Sequence, residues 1–214
     1  MNYAVTSVSE KDFTKAGISW LSSLFDFSNY DGEIIFIDFG LSESNKSKLL
    51  NNGIIVLDQV DNSVPASLKN FVESNKGIYS YWNCNCVFQD DINLLFELCN
   101  NKILYTENSG FYAFDSIYFN LIQSLYDLCS FLEKEQEDFF EYYKQAVLVE
   151  NIWNFKNITN LSDIQGKLCF NGNVQNVLNF DKQQKTFQGR NVLFWEKHKD
   201  CYEFYLNKFK KLKF

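Results

Sequence analysis

The sequence predicts one α/β domain, with a mainly parallel sheet and helices on both faces. Three observations carry this. The run 54–57 is apolar throughout, 34–39 is broken only by Asp38 and 78–82 only by Ser80, as in strands buried on both faces. The segments between them have helical periodicity and end in Gly or Asn signals. Their order, strand-helix-strand-helix-strand, is that of a parallel sheet built from crossovers. The single proline, Pro65, and the lack of any Ser/Gly-rich or like-charged run leave no natural linker, so residues 1–214 are expected to form one domain.

Taken in order, Tyr3 to Val8 reads as a first strand and Ser9-Glu10-Lys11-Asp12 as an N-cap with acids in the first turn. From Phe13 to Phe25, Ile18, Leu21, Leu24 and Phe25 recur at spacings of three and four and predict a helix lying on the sheet. Asp31-Gly32 turns the chain into the buried run Glu33 to Phe39, which Gly40 ends. Ser42 to Leu50 predicts a short helix closed by Asn51-Asn52-Gly53, and Ile54 to Leu57 a third buried strand. After a turn at Pro65, Ser67 to Ser74 predicts a helix. Gly77 then leads into the strand Ile78 to Trp82, which stops at Asn83-Cys84-Asn85. Phe119 to Phe131 is apolar at helical spacing and is read as core.

Composition narrows the function classes. With 46% hydrophobic and 18% aromatic residues the chain carries enough apolar side chains for a packed core. Its formal net charge of −7 offers no global basic field, which disfavours nucleic acid as a partner. The six cysteines form no C-x-x-C pair and are read as reduced core thiols. A zinc reading of Cys84 and Cys86 fails on ligand number, since His198 is the single histidine. The start reads as a strand rather than a secretory leader, and no run of about 18 apolar residues is present, so a cytoplasmic, soluble protein is expected. The Asn45, Asn157 and Asn160 sequons are expected to be unused.

In open α/β sheets ligands bind beyond the carboxyl ends of the strands, so the polar residues that end the Ile78–Trp82 run mark a site. An extended course through them predicts Asn83 and Asn85 on one side and the Cys84 and Cys86 thiols on the other.

Seven segments, in this order, resemble the GT-A glycosyltransferases, the nucleotide-diphospho-sugar transferases, and among them the glycogenin-like and bacterial galactosyltransferase-like enzymes. They are Ala4 to Ser7, Ile18 to Leu24, Ile34 to Ser42, Tyr79 to Phe88, Glu107 to Phe114, Glu135 to Phe140 and Asn191 to Lys199. The resemblance covers about Asn2 to Lys199. It implies a donor site formed by Thr6, Ser7, Lys69, Asn83, Asn85, Ser109, Gly110, Lys197 and Lys199, with Asn108, Glu135 and Gln136 at the reaction centre. The alternative for residues 107–114 is a glycine turn entering a strand, and a solvated helix face accounts equally for Glu135-Gln136.

The sequence departs from the family in two places. Asn83-Cys84-Asn85 stands where the resemblance places an Asp-x-Asp, and Phe194 or Trp195 where it places a late histidine. Neutral amides bind hard cations weakly, so a metal-independent or weakly metal-dependent transferase is expected, or an inactive relative that binds a sugar nucleotide or a protein. Mn²⁺ or Mg²⁺ is expected only if Asp90 or Asp91 replaces the lost ligands. The implied partners are a nucleotide-diphospho-sugar donor and a carbohydrate, lipid-linked or protein acceptor. A dinucleotide- or flavin-binding module is disfavoured, because no G-x-G-x-x-G or P-loop is present.

At the end of the chain, Tyr202, Tyr205, Leu206, Phe209 and Leu212 form one apolar helical stripe, with Lys208, Lys210, Lys211 and Lys213 mainly beside or opposite it. Residues 200–214 are therefore expected to form an amphipathic helix. Either it caps the fold or it settles on the inner face of an anionic membrane as a peripheral contact.

Overall fold

The computed structural model describes residues 1–84, 86–88, 91–105 and 111–131, together with short strands at 158–160, 169–171, 180–181, 186–187 and 194–196. The first half of the chain runs β1 (Asn2–Val8), α1 (Glu10–Asp12), a π-helical turn (Phe13–Gly17), α2 (Ile18–Phe27), β2 (Glu33–Asp38), α3 (Glu43–Asn51), β3 (Ile55–Asp58), α4 (Val64–Ser74) and β4 (Ile78–Trp82). There follow β5 (Cys86–Phe88), α5 (Asn93–Leu98), β6 (Ile103–Tyr105), β7 (Phe111–Asp115), α6 (Phe119–Phe131), β8 (Ile158–Asn160), β9 (Cys169–Asn171), β10 (Phe180–Asp181), β11 (Thr186–Phe187) and β12 (Phe194–Glu196).

Seven of these strands make the main sheet, in the order β3-β2-β1-β4-β7-β6-β8. The β3-β2, β2-β1, β1-β4 and β6-β8 pairs are parallel, whereas β7 runs antiparallel to both β4 and β6. A second sheet has the order β5-β12-β9, and β10 pairs with β11. The main sheet is packed on both faces. On one side Trp20, Leu21 and Leu24 of α2 and Leu95 and Phe96 of α5 cover Ala4, Phe36 and Trp82. On the other, Val64, Leu68 and Val72 of α4 and Phe119 and Ile122 of α6 cover Tyr3, Val5, Tyr79 and Phe114. Burying side chains of this size contributes about 1.5–3 kcal/mol each, which makes the two layers the main source of cohesion.

The first helix begins where the sequence places a cap, with Ser9 Oγ accepting from the Asp12 N–H; Ser42, expected as the first residue of the next helix, is its N-cap, with Oγ accepting from the Asn45 N–H. Three other expectations need correction. The helix expected from Ser67 starts at Val64 with Ser63 as N-cap, so Pro65 sits inside its first turn, where a missing N–H costs nothing. The strand expected at Ile54 to Leu57 runs from Ile55 to Asp58 and is half-buried, because it is the sheet edge and has β2 as its only neighbour among the described strands. Phe25 is 53% exposed, since the buried face of α2 centres on Trp20 and Leu24.

Candidate functional site

Strand order locates the site. From β1 the chain steps to β2 and β3 on one side, then returns to place β4 on the other side of β1. This reversal leaves a crevice between the carboxyl ends of β1 and β4, the place where open α/β sheets bind ligands. The register makes the crevice concrete. Pairing of β1 with β4 stops at Val5↔Tyr81, whereas pairing with β2 continues to Val8↔Asp38. The main chain of Ser7, which faces β4, therefore extends past the ladder, while the Val8 carbonyl turns the other way and accepts from the Phe39 N–H at 2.9 Å.

Three other chain segments reach this end of the sheet. Trp82, the last residue of β4, pairs with Phe111, the first of β7, which follows Gly110 directly in sequence. Tyr105, the last residue of β6, pairs with Tyr112. In the second sheet Glu196, the last residue of β12, pairs with Cys86, just after Asn85. Residues 106–110, 85, 89–90 and 197–214 themselves lie outside the described residues. So do Asn85, Asp90, Asn108, Ser109, Gly110, Glu135, Gln136, Lys197 and Lys199 among the expected site residues, and the C-terminal amphipathic stripe.

The expected site residues that are described divide clearly. Ser7 and Asn83 are half-buried at the crevice. Thr6 is wholly buried on the α2 face, and its Oγ1 has no hydrogen-bond partner. Lys69 lies on the exposed side of α4, whose Leu68 and Val72 point into the core.

The course of the chain after β4 differs from the extended one expected. The Cys86 N–H donates to the Asn83 carbonyl at 2.9 Å, closing a turn, and β5 then joins the other sheet. Cys84 and Cys86 share one core cluster, and Asn85 lies outside the described residues. Both thiols are buried, as expected of core cysteines, and burial pushes the Cys84 thiol up to about 12. Such a thiol is protonated at neutral pH and is a poor nucleophile or metal ligand.

The rim at β2 and β3 is held by charge. Asp38 Oδ1 accepts from the N–H groups of Gly40 (2.8 Å) and Leu41 (2.5 Å), and its Oδ2 lies 2.5 Å from Lys46 Nζ. Gly40 has φ +106, a conformation open to glycine at little cost. Lys46 also reaches Asp58 at 3.4 Å. Burial alone would raise the Asp38 carboxyl, but the two N–H groups and the ammonium outweigh it and hold it below the usual carboxylate range. Glu10 accepts from the Ser42 N–H at 2.7 Å and the Asn45 amide at 2.8 Å, and is lowered chiefly by the first. These carboxylates are spent on loop geometry.

The described residues fit a divalent metal poorly. Asn83 is a neutral amide, and Asp91 Oδ1 already accepts from the Asn93 N–H at 2.8 Å, at the start of α5. Among the described residues no group of three or more His, Cys, Asp or Glu side chains gathers to hold an ion.

One contact at the crevice was not foreseen. Ser7 Oγ and Tyr81 Oη share a 2.8 Å hydrogen bond across the gap between β1 and β4. The Tyr81 ring stacks on Tyr112 of β7, with centroids 5.1 Å apart. Burial raises the Tyr81 hydroxyl well above an ordinary tyrosine, with the Ser7 bond opposing, so it stays protonated in solution near neutrality.

No family model matches the sequence, and no curated protein matches it. Solved structures do. An active-site mutant of LgtC superposes with a TM-score of 0.58 at 10% identity, over 99% of this chain and 95% of that one. Mouse xyloside xylosyltransferase 1 gives 0.55 at 11% identity over 94% and 99%. The glycosyltransferase GlyE of Streptococcus pneumoniae TIGR4 gives 0.50 at 16% identity, over 75% of this chain and 45% of its own length. Sheet order, the crevice between β1 and β4 and these superpositions agree on one point: the chain has the fold of the GT-A glycosyltransferases.

Proposed function

We propose that the protein transfers a sugar from a nucleotide-diphosphate donor to an acceptor hydroxyl on a carbohydrate, a lipid-linked sugar or a protein. One observation carries this reading: β1, β4, β7 and β12 bring four separate stretches of chain to one end of the sheet in a glycosyltransferase fold. The donor lies along Thr6 and Ser7, with Asn83, Asn85, Ser109 and Gly110 as hydrogen-bonding walls. Of the first two, Ser7 faces the crevice, while Thr6, with its side chain buried and its main chain paired to β2, lines the strand behind it. Glu196 pairs with Cys86, so Lys197 follows a residue adjacent to the Asn83–Asn85 turn. Lys197 and Lys199 supply the positive charge for the diphosphate, while Lys69, on the outer side of α4, contributes at most long-range field.

Catalysis rests on positioning and on stabilising the departing diphosphate. The acceptor oxygen forms a bond to the anomeric carbon as the bond from that carbon to the phosphate oxygen breaks. The hydroxyl proton passes to the departing diphosphate or to Glu135, with Asn108 and Gln136 orienting the sugar and acceptor. The site works with little or no divalent metal, because amides stand at 83 and 85. The same amides favour a second reading, a protein that binds the donor and does not turn it over.

Thermal denaturation against UDP-galactose, UDP-glucose, UDP-xylose and UDP-N-acetylglucosamine tests the proposal. A donor at about 100 times its Kd adds about 2.7 kcal/mol to the native state, and the melting temperature must rise. No rise with any of them overturns the donor site. A rise without release of nucleoside diphosphate in the presence of acceptors supports the second reading.

A further inference from the structure

We propose that Tyr81 is a positioning residue for the donor, acting through its hydrogen bond to Ser7 and its stack on Tyr112; the inference rests on the donor-site reading above. The relevant observation is a lateral row across four strands. Val5 of β1 pairs with Tyr81 of β4, Tyr81 with Tyr112 of β7, and Tyr112 with Tyr105 of β6. Each strand in this row leads within a few residues into a stretch assigned to the donor. Ser7 lies two residues beyond Val5, Asn83 two beyond Tyr81, and Gly110 two before Tyr112.

Beyond Val5 the β1–β4 ladder has ended, so backbone pairing no longer fixes the spacing between the two strands. The Ser7–Tyr81 bond at 2.8 Å spans the gap at that point. The Tyr81–Tyr112 stack at 5.1 Å carries the tie to β7. Such a tie has particular value in this site. A divalent ion can pull a diphosphate and its protein ligands into place after binding, whereas neutral hydrogen bonds reward a ligand only when donors and acceptors are already held at the right separation. With amides in place of carboxylates, the walls must be set before the donor arrives. Tyr81 sets them without touching it.

The test is a set of variants of the full chain, titrated calorimetrically with the UDP-sugar that stabilises the wild type most. Tyr81→Phe keeps the ring and its stack and removes the hydroxyl; Ser7→Ala removes the other half of the bond. Each is expected to weaken donor binding about three- to tenfold, the worth of one hydrogen bond. The double variant should lose no more than either single one, because both remove the same contact. Ser7→Thr, which keeps the hydroxyl, should restore affinity. A general loss of stability is separated by Ser67→Ala. Ser67 Oγ donates to the Ser63 carbonyl at 2.7 Å and accepts from the Val60 N–H at 2.8 Å, in α4. That variant should melt lower with unchanged affinity. Wild-type binding with an unchanged Tyr81→Phe overturns the positioning role alone, as do additive losses in the double variant. A wild type that binds none of the UDP-sugars overturns the donor-site reading and this inference with it.

Discussion

Thr6 carries a hydroxyl into a region with no solvent access and finds no partner there. A buried hydroxyl without a partner costs about 1–3 kcal/mol, which an isosteric methyl avoids. Thr6→Val is therefore expected to raise the melting temperature, by about 2–4 °C per kcal/mol recovered in a domain of this size. Donor affinity should stay the same, because the buried side chain does not reach the crevice. A lower melting temperature would show that the hydroxyl has a partner after all. Asp38 acts in the opposite direction. Its folded carboxyl lies below the unfolded value of about 3.9, so its contribution is full above that pH and is lost as pH falls through the folded value. Lys46, raised by Asp38, contributes at and below its unfolded value of about 10.4 and loses this above its folded one. Melting curves from pH 7 to pH 3 should therefore fall more steeply for the wild type than for Asp38→Asn. Parallel curves would remove Asp38 from the acid limb.

At the scale of elements, β4 matters most, because its carboxyl end carries Asn83 and its amino end is packed against the start of the chain. A Cβ on Gly77 would come 2.2 Å from the Met1 carbonyl oxygen, which already accepts from the Ile78 N–H at 3.0 Å. The Met1 main chain and the Tyr3 ring, 3.0 Å from the same Cβ, leave little room to yield. Gly77→Ala is expected to cost about 1–3 kcal/mol, as overpacking does, and a chemical denaturation midpoint equal to that of the wild type would contradict this. β4 also divides what the sequence discloses from what it hides. Its limits, the Ser9 cap and the span of α6 follow from local patterns and were legible. The jump to a second sheet after Trp82 was not, because Asn83-Cys84-Asn85-Cys86 alternates polar and apolar residues just as a half-buried strand does. The exposed edge at β3 was hidden for a related reason: Ile54 to Leu57 reads as a central run, and its neighbours are decided by pairing far along the chain. The Ser7–Tyr81 bond joins residues 74 positions apart, with nothing local to announce it.

For the whole molecule, strand order turns scattered polar residues into one candidate site. The fold was legible from strand order and the resemblance together, and the superpositions on glycosyltransferases agree with it. No helix among the described residues is long and apolar enough to cross a membrane. The central claim is that this fold holds a nucleotide-sugar diphosphate by hydrogen bonds and lysine charge where Asn83 and Asn85 stand. Calorimetric titration of the most stabilising UDP-sugar, once with excess EDTA and once with Mn²⁺, tests it most directly. The account predicts dissociation constants within about threefold of each other, a difference of about 0.7 kcal/mol. Affinity that collapses in EDTA and returns with Mn²⁺ would contradict it, and would assign a bound ion to ligands such as Asp90 or Asp91.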